Sequence, residues 1–166
     1  MNPFSKPFDE LAVGERFSTR GRTISESDIE RFAQLTWDTH PVHTDDEWAQ
    51  ASRFGGRIAH GMLLLSFSSG LMPYDPERVV ALRGLRDATF KAPVRAGETI
   101  RVEVELKDLR ELDEEHGLVT FGWRVVGPGG RMAARATVEV LWRRGEPAAA
   151  PEPAGKSSAK PVAIPL

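Results

Sequence analysis

The chain has 166 residues, of which 40% are hydrophobic and 28% charged, and its 22 Lys plus Arg against 24 Asp plus Glu give a net charge of −2. This length and composition suit one globular domain of ordinary size. The near-neutral charge, with arginines scattered along the chain, argues against nucleic acid as a partner. The absence of cysteine excludes disulfides, Cys-ligated zinc and thiol nucleophiles.

The N-terminal stretch lacks the apolar segment of a secretory signal, and the longest apolar runs are far too short to span a membrane. We therefore expect a cytoplasmic protein with no membrane partner. The segment 145–166 is rich in Pro and Ala and has neither helical nor strand periodicity. It is expected to be an extended, solvated tail that follows a single folded domain over residues 1–144.

The first half of the chain predicts helices. Arg16–Thr23 alternates weakly, which favours a short leading strand. Ser25 and Asp28 have the spacing of a capping box, and apolar residues then recur at helical intervals, so we expect a helix over about Glu26–Trp37. Asp45–Ala51 is expected to form a second, short helix whose first turn is acidic.

The segment Gly61–Leu71 predicts a helix of a different kind. Its apolar side chains cover nearly the whole circumference, interrupted only by three serines and one glycine. A helix that is apolar on all sides is normally buried on all sides. The rest of the chain must therefore wrap around it.

The second half predicts the covering sheet. Apolar and polar residues alternate with a period of two in several segments separated by turn signals such as the Gly-Pro-Gly-Gly at 127–130. The predicted strands are Val79–Lys91, Ile100–Lys107, Val119–Val125 and Thr137–Arg143. The sequence therefore predicts an α+β fold, in which a curled antiparallel meander with one wet face wraps around a central helix.

The side chains best suited to chemistry lie just before the central helix. Asp38 and His43 are separated by Pro41, which we expect to end the preceding helix and to hold both side chains on a constrained loop. An ionised Asp and a neutral His that share a water molecule can add water to an α,β-unsaturated thioester. The backbone amides around Gly61, at the start of the central helix, can stabilise the charge that develops on the thioester oxygen.

Three stretches closely resemble the MaoC-like dehydratase family, which includes R-specific enoyl-CoA hydratases: DTHPVH at 38–43, FGGRIAHGML at 54–63 and FKAPVRAGET at 90–99. The resemblance covers roughly Phe8–Arg144. It implies a hot-dog fold, usually dimeric or doubled within one chain.

The resemblance also implies roles for individual residues. The hydratase motif, Asp followed by two residues, Pro, one residue and His, maps to Asp38 and His43 as the catalytic pair. The oxyanion-hole amide maps to Gly61, and a serine that supports the catalytic Asp maps to Ser69. His40 stands where the family usually has Asn, so we assign it a supporting role near the water.

Some of these residues allow other interpretations. His60 is either a supporting polar group or a packed ring at the start of the helix. His40 and His43 could bind a metal together with nearby carboxylates, but Pro41 breaks the spacing and no third strong ligand is fixed, so we expect no metal.

Together these observations predict a hydratase or dehydratase of 2-enoyl and (R)-3-hydroxyacyl thioesters, without a metal or redox cofactor. Its substrate partner is expected to be an acyl-CoA, or an acyl chain on a carrier protein, and the protein itself a homodimer. A hot-dog thioesterase and a non-catalytic acyl-binding subunit are the alternatives. The first is disfavoured by the Asp-x-x-Pro-x-His motif, and the second by the presence of both Asp38 and His43.

Overall fold

The computed structural model describes residues 3–145. Apart from Gly145, the predicted tail lies outside this range. Four α-helices occur in the described part of the chain: α1 (Glu26–Thr36), α2 (Pro41–Thr44), α3 (Asp46–Ala51) and α4 (Gly61–Leu71). Within residues 3–145, no helix is both long and apolar enough to cross a membrane.

The capping box confirms the predicted start of α1. The Ser25 hydroxyl accepts a hydrogen bond from the Asp28 amide (3.0 Å), and the Asp28 carboxylate accepts one from the Ser25 amide (2.8 Å). The helix ends one residue earlier than expected, because Trp37 adopts a left-handed conformation with φ of 61°. This conformation is uncommon for a residue other than glycine. It turns the chain sharply into Asp38.

The strands of the described region form one antiparallel sheet. They are β1 (Arg16–Ser18), β2 (Arg22–Thr23), β3 (Val79–Phe90), β4 (Thr99–Glu111), β5 (His116–Val126) and β6 (Met132–Arg143). The sheet has the order β1-β4-β5-β6-β3, and β2 also pairs with β4. The single leading strand predicted over Arg16–Thr23 is thus two short strands. The α+β class and the four long strands are confirmed.

The meander prediction was wrong for β3. This strand pairs with β6 and lies at the edge of the sheet, so it does not neighbour β4, the next strand along the chain. The connection from β3 to β4 passes the start of α4, where the Val94 carbonyl accepts a hydrogen bond from the Ala59 amide (2.7 Å). The turn at 93–97, which begins at Pro93, is therefore part of a crossover and helps to hold the loop before α4.

The sheet packs its apolar face against α4. The alternation predicted for β4 is confirmed, because Ile100, Val102, Val104 and Leu106 are all at most 4% exposed. Burying a side chain of this size contributes about 1.5–3 kcal/mol. β5 is an exception to the expected wet face, because most of its residues are buried.

The expectation that α4 is buried on all sides was wrong for one stripe. Leu63, Leu64 and Leu65 are at most 3% exposed, whereas Met62 is 57% exposed. Ser66 and Gly70 follow Met62 at intervals of four residues and are also exposed. A single curled sheet covers only one side of the helix, and this stripe faces away from it.

Candidate active site

The turn after α1 positions Asp38. The left-handed Trp37 reverses the chain, and the Asp38 amide donates to the Thr36 hydroxyl (3.3 Å). The Asp38 carbonyl accepts a hydrogen bond from His60 Nε2 (2.9 Å). The main chain of Asp38 is therefore held on both sides, while its carboxylate is exposed and accessible to a ligand.

A short helix, and not the predicted loop, carries His43. Pro41 is the first residue of α2, the position where proline is best tolerated because its missing N–H is not needed there. α1 has already ended before Asp38, so the prediction that Pro41 ends it was wrong. The constraint on His43 comes instead from helical backbone geometry.

His40 is the N-cap of α2. Its Nδ1 accepts a hydrogen bond from the Val42 amide (3.1 Å), and its ring packs edge-on against Trp48 at 5.3 Å between centroids. Asn is among the preferred N-cap residues because its side-chain oxygen accepts the same kind of bond. His40 therefore performs the capping that Asn would perform at this position, which gives the replacement a physical explanation.

One hydrogen bond sets the tautomer of His43. Its Nδ1 lies 2.7 Å from the Ile58 carbonyl oxygen, and because a carbonyl only accepts, Nδ1 carries the hydrogen. In the neutral ring, Nε2 therefore presents a lone pair. Burial lowers the pKa of His43 below its ordinary value of 6.5, against the opposing effect of the Ile58 hydrogen bond. The ring is thus suited to accept a proton near neutral pH.

The loop between α3 and α4 is held by hydrogen bonds and ion pairs to the three preceding helices. Besides accepting from His43, Ile58 donates through its amide to the Val42 carbonyl (3.2 Å). Arg57 precedes it, with a side chain only 14% exposed, and forms ion pairs with Asp46 (2.7 Å) and Glu26. These bonds fix the loop against α1, α2 and α3, and so fix where α4 begins.

Gly61 begins α4, and the ring of Phe90 from β3 lies against it. A Cβ atom at Gly61 would lie 2.7–2.8 Å from three carbons of that ring, which is closer than van der Waals contact allows. Glycine is therefore required by this close approach. The first-turn amides of α4 lack partners within the helix, which leaves them suited to bind an oxygen with negative charge.

The turn after α1, the α2 helix and the start of α4 bring three polar side chains together. Asp38, His43 and His60 each offer a side-chain oxygen or nitrogen, and these atoms lie within 4.8 Å of one another. Two groups that share one water molecule through hydrogen bonds of usual length are about 4.5 Å apart. The spacing of Asp38 and His43 thus fits a shared water beside the N-terminus of α4.

The same three residues are a poor metal site. The rings of His43 and His60 are stacked, with centroids 3.8 Å apart and planes inclined by 25°. Imidazole binds a metal in the plane of its ring, so one ion cannot lie on the lone-pair axes of two rings stacked in this way. In addition, Nδ1 of His43 and Nε2 of His60 already donate to main-chain carbonyls.

Ser69 lies about two turns beyond Gly61 on α4 and is partly exposed. Among the hydrogen bonds of residues 3–145, none joins its hydroxyl to Asp38, and its role in supporting Asp38 stays a prediction. The residue on the α4 side that does bind Asp38 is His60. Motif spacing does not predict this contact, since the two residues are 22 positions apart in the chain.

Comparison with known proteins identifies the family. The profile of the MaoC-like domain matches residues 9–126, which is most of the folded chain. The chain belongs to the MaoC-like domain family, and its fold is the hot-dog fold expected from the sequence.

Individual relatives agree with this assignment. The chain is 39% identical over 102 residues to an (R)-specific enoyl-CoA hydratase from Rhodospirillum rubrum, a match that covers 61% of the chain and 70% of the relative. It is 38% identical over 108 residues to the Protein MaoC of Klebsiella aerogenes, covering 64% of the chain but only 32% of that longer protein.

Among solved structures, a monoamine oxidase regulatory protein from Archaeoglobus fulgius superposes with a TM-score of 0.79 at 36% identity. The superposition covers 84% of the chain and 95% of the archaeal protein.

Proposed function

We propose that this protein is a hydratase or dehydratase that interconverts 2-enoyl and (R)-3-hydroxyacyl thioesters, with CoA as the carrier of the acyl chain. The observation that carries the proposal is the proximity of Asp38 and His43 beside the N-terminus of α4, where a side-chain oxygen of the one and a ring nitrogen of the other lie within 4.8 Å. The hydrogen bond from His43 Nδ1 to Ile58 leaves Nε2 of the neutral ring as an acceptor. The (R)-specific enoyl-CoA hydratase of Rhodospirillum rubrum, 39% identical, supports both the reaction and its stereochemistry.

In the hydration direction, one water molecule donates hydrogen bonds to the Asp38 carboxylate and to His43 Nε2. As its oxygen attacks C3, His43 takes one proton at Nε2 and electron density moves onto the thioester oxygen. The imidazolium then returns that proton to C2, so the net change is the addition of one water. The second hydrogen of the water stays on the attacking oxygen, which becomes the hydroxyl group of the product, and it remains hydrogen-bonded to the Asp38 carboxylate. That carboxylate also stabilises the transient positive charge on His43.

The amide of Gly61 binds the thioester oxygen while its negative charge grows. The α4 dipole and the fixed position of that amide favour charge at this point without further reorganisation. Because the thioester itself acidifies C2, the reaction requires neither a metal nor a redox cofactor. This fits the stacked arrangement of His43 and His60, which does not suit metal binding.

A substrate panel tests the reaction class. Hydration of crotonyl-CoA and of longer enoyl-CoAs removes the conjugated-thioester absorbance and leaves the thioester intact, so we expect absorbance loss without release of free thiol. Release of thiol without hydration would identify a thioesterase instead. No change in either signal across the panel would favour a non-catalytic acyl-binding role.

The edge of the sheet supports a homodimer. β3 is an edge strand with one unpaired side, and several of its apolar side chains are exposed: Val80 (39%), Leu82 (51%), Leu85 (40%) and Phe90 (49%). A long apolar edge strand invites pairing with another chain. A second copy that pairs antiparallel along β3 would cover this edge by a two-fold symmetric contact.

Sedimentation of point variants tests the dimer. Leu82→Asp places a charge on the β3 edge and is expected to convert the dimer to monomer. Val13→Asp is the control, since Val13 is 60% exposed in the loop before β1 and outside β3. A Leu82→Asp protein that sediments like the unmodified chain would contradict pairing through β3.

A further inference from the structure

His60 is an unusual residue for its position. It is the N-cap of α4 but its side chain makes no capping hydrogen bond, and it is 2% exposed. Short polar side chains that cap the first amides are preferred at this position. A buried imidazole there therefore serves something other than the start of the helix.

The ring of His60 is in contact with both members of the proposed catalytic pair. Its Nε2 donates to the Asp38 carbonyl (2.9 Å), and its face stacks on the ring of His43 (3.8 Å). Phe32 of α1 packs against it at 5.1 Å between centroids. His43 is thereby restrained twice, since the Ile58 carbonyl fixes its rotation and the stacked His60 ring fixes its plane.

The remaining nitrogen argues against a purely structural role. His60 Nδ1 is buried and has no hydrogen-bond partner among the described residues. An unsatisfied buried polar atom costs about 1–3 kcal/mol, which a phenylalanine ring at this site would avoid. Packing alone would thus favour Phe over His at position 60.

We infer that His60 is a positioning residue, which holds Asp38 through its main chain and sets the plane of the His43 ring so that both face one water. This inference rests on the proposed function, because it assigns His60 to the same catalytic pair. His60 itself does not touch the reacting atoms.

Two variants separate the hydrogen bond from the packing. His60→Gln keeps an N–H donor at a position close to that of Nε2 but loses the ring, whereas His60→Phe keeps the ring and loses the donor. Displacing a catalytic group by about 1 Å can cost on the order of 10²-fold in rate. We expect kcat for crotonyl-CoA to fall about 10–100-fold in His60→Phe, with KM nearly unchanged, and to recover partly in His60→Gln.

Thermal unfolding provides the structural control. Because Phe removes the unsatisfied nitrogen, the melting temperature of His60→Phe should be close to that of the unmodified protein while its kcat is reduced. Near-normal kcat in His60→Phe would overturn the inference, as would equal losses of kcat and stability in both variants. If His60→Phe does not fold, His60→Gln decides, because the inference requires it to retain more than a tenth of the normal kcat.

A readout without substrate distinguishes failure of the inference from failure of the proposed function. NMR of the imidazole signals follows the titration and tautomer of His43 among only four histidines. His60→Gln loses the ring that stacks on His43, so the His43 signals should change in that variant, whereas in His60→Phe, which keeps a ring, they should stay close to those of the unmodified protein. Unchanged His43 signals in His60→Gln would overturn the inference even if the protein proved inactive on enoyl thioesters.

Discussion

The N–H donor of Gly61 can be removed by a proline substitution without changing the shape of α4. Gly61 is the first residue of α4, where proline is the best tolerated, and His60 before it has φ of −59° and ψ of 138°, an extended conformation that a following proline permits. The obstacle is Phe90, whose ring would collide with any Cβ at position 61. Phe90 is 49% exposed, so Phe90→Ala creates the space at limited cost.

The informative comparison is therefore between two double variants. Gly61→Ala with Phe90→Ala retains the amide N–H, whereas Gly61→Pro with Phe90→Ala removes it, and the added Cβ is common to both. Loss of one oxyanion donor costs about 10²–10³-fold in kcat. We expect a difference of that size between the two proteins in the hydration of crotonyl-CoA, followed by its absorbance.

The same pair contains its own stability control. Proline restricts the unfolded chain, which contributes about 0.4–1 kcal/mol where its backbone geometry is compatible. The proline variant should therefore be at least as stable as the alanine variant while turning over far more slowly. Equal kcat values in the two double variants would refute the assignment of the oxyanion donor to Gly61.

The remaining predictions concern the histidines of α2. His40→Asn should retain near-normal stability and kcat because Asn can cap α2, whereas His40→Ala should lose about 0.5–2 kcal/mol of unfolding free energy and part of its activity, which denaturant titration and turnover would measure together. His43→Ala should lower kcat by about 10²–10⁴-fold with the fold intact by circular dichroism. Since burial lowers the pKa of His43, the neutral base persists below pH 6.5, and kcat should decline only as the pH falls through that lowered pKa. The unfolding free energy should begin to decline as the pH falls below 6.5, because the unfolded chain binds the proton first, and should level off below the lowered pKa of the folded state. An acid limb of kcat centred above pH 6.5 would contradict the lowered pKa of His43.

The sequence predicted the local elements well because their causes are local. The capping box of Ser25 and Asp28, the bounds of α4 and the alternation in β4 all depend on residues a few positions apart. The partner of β3 was missed because a period of two identifies a strand but not its neighbour in the sheet. The exposed stripe of α4 was missed for a related reason, since it depends on how far one sheet can curl around a helix.

The candidate site also has features that the sequence predicted and features that it did not. Asp38, His43 and Gly61 were recognisable from motif spacing, and the structure brings the first two together beside the third. The contacts of His60 could not be predicted because they join residues far apart in sequence. The left-handed conformation at residue 37 could not be predicted either, because the residue there is Trp and not the glycine that usually marks such a turn. The capping role of His40 was not predicted, because its hydrogen bond with the Val42 amide depends on α2 beginning at Pro41, and the sequence predicted a loop there.

The most direct test of the proposed function is the turnover of crotonyl-CoA by the unmodified protein and by Asp38→Asn, at equal concentration and with the fold of each verified. Asn keeps the size of Asp and can still bind the water, but it lacks the negative charge that stabilises protonated His43. We expect the unmodified protein to remove the conjugated absorbance without releasing thiol, and kcat to fall by about 10²–10⁴-fold in the variant. Near-normal turnover by a folded Asp38→Asn protein would contradict the mechanism.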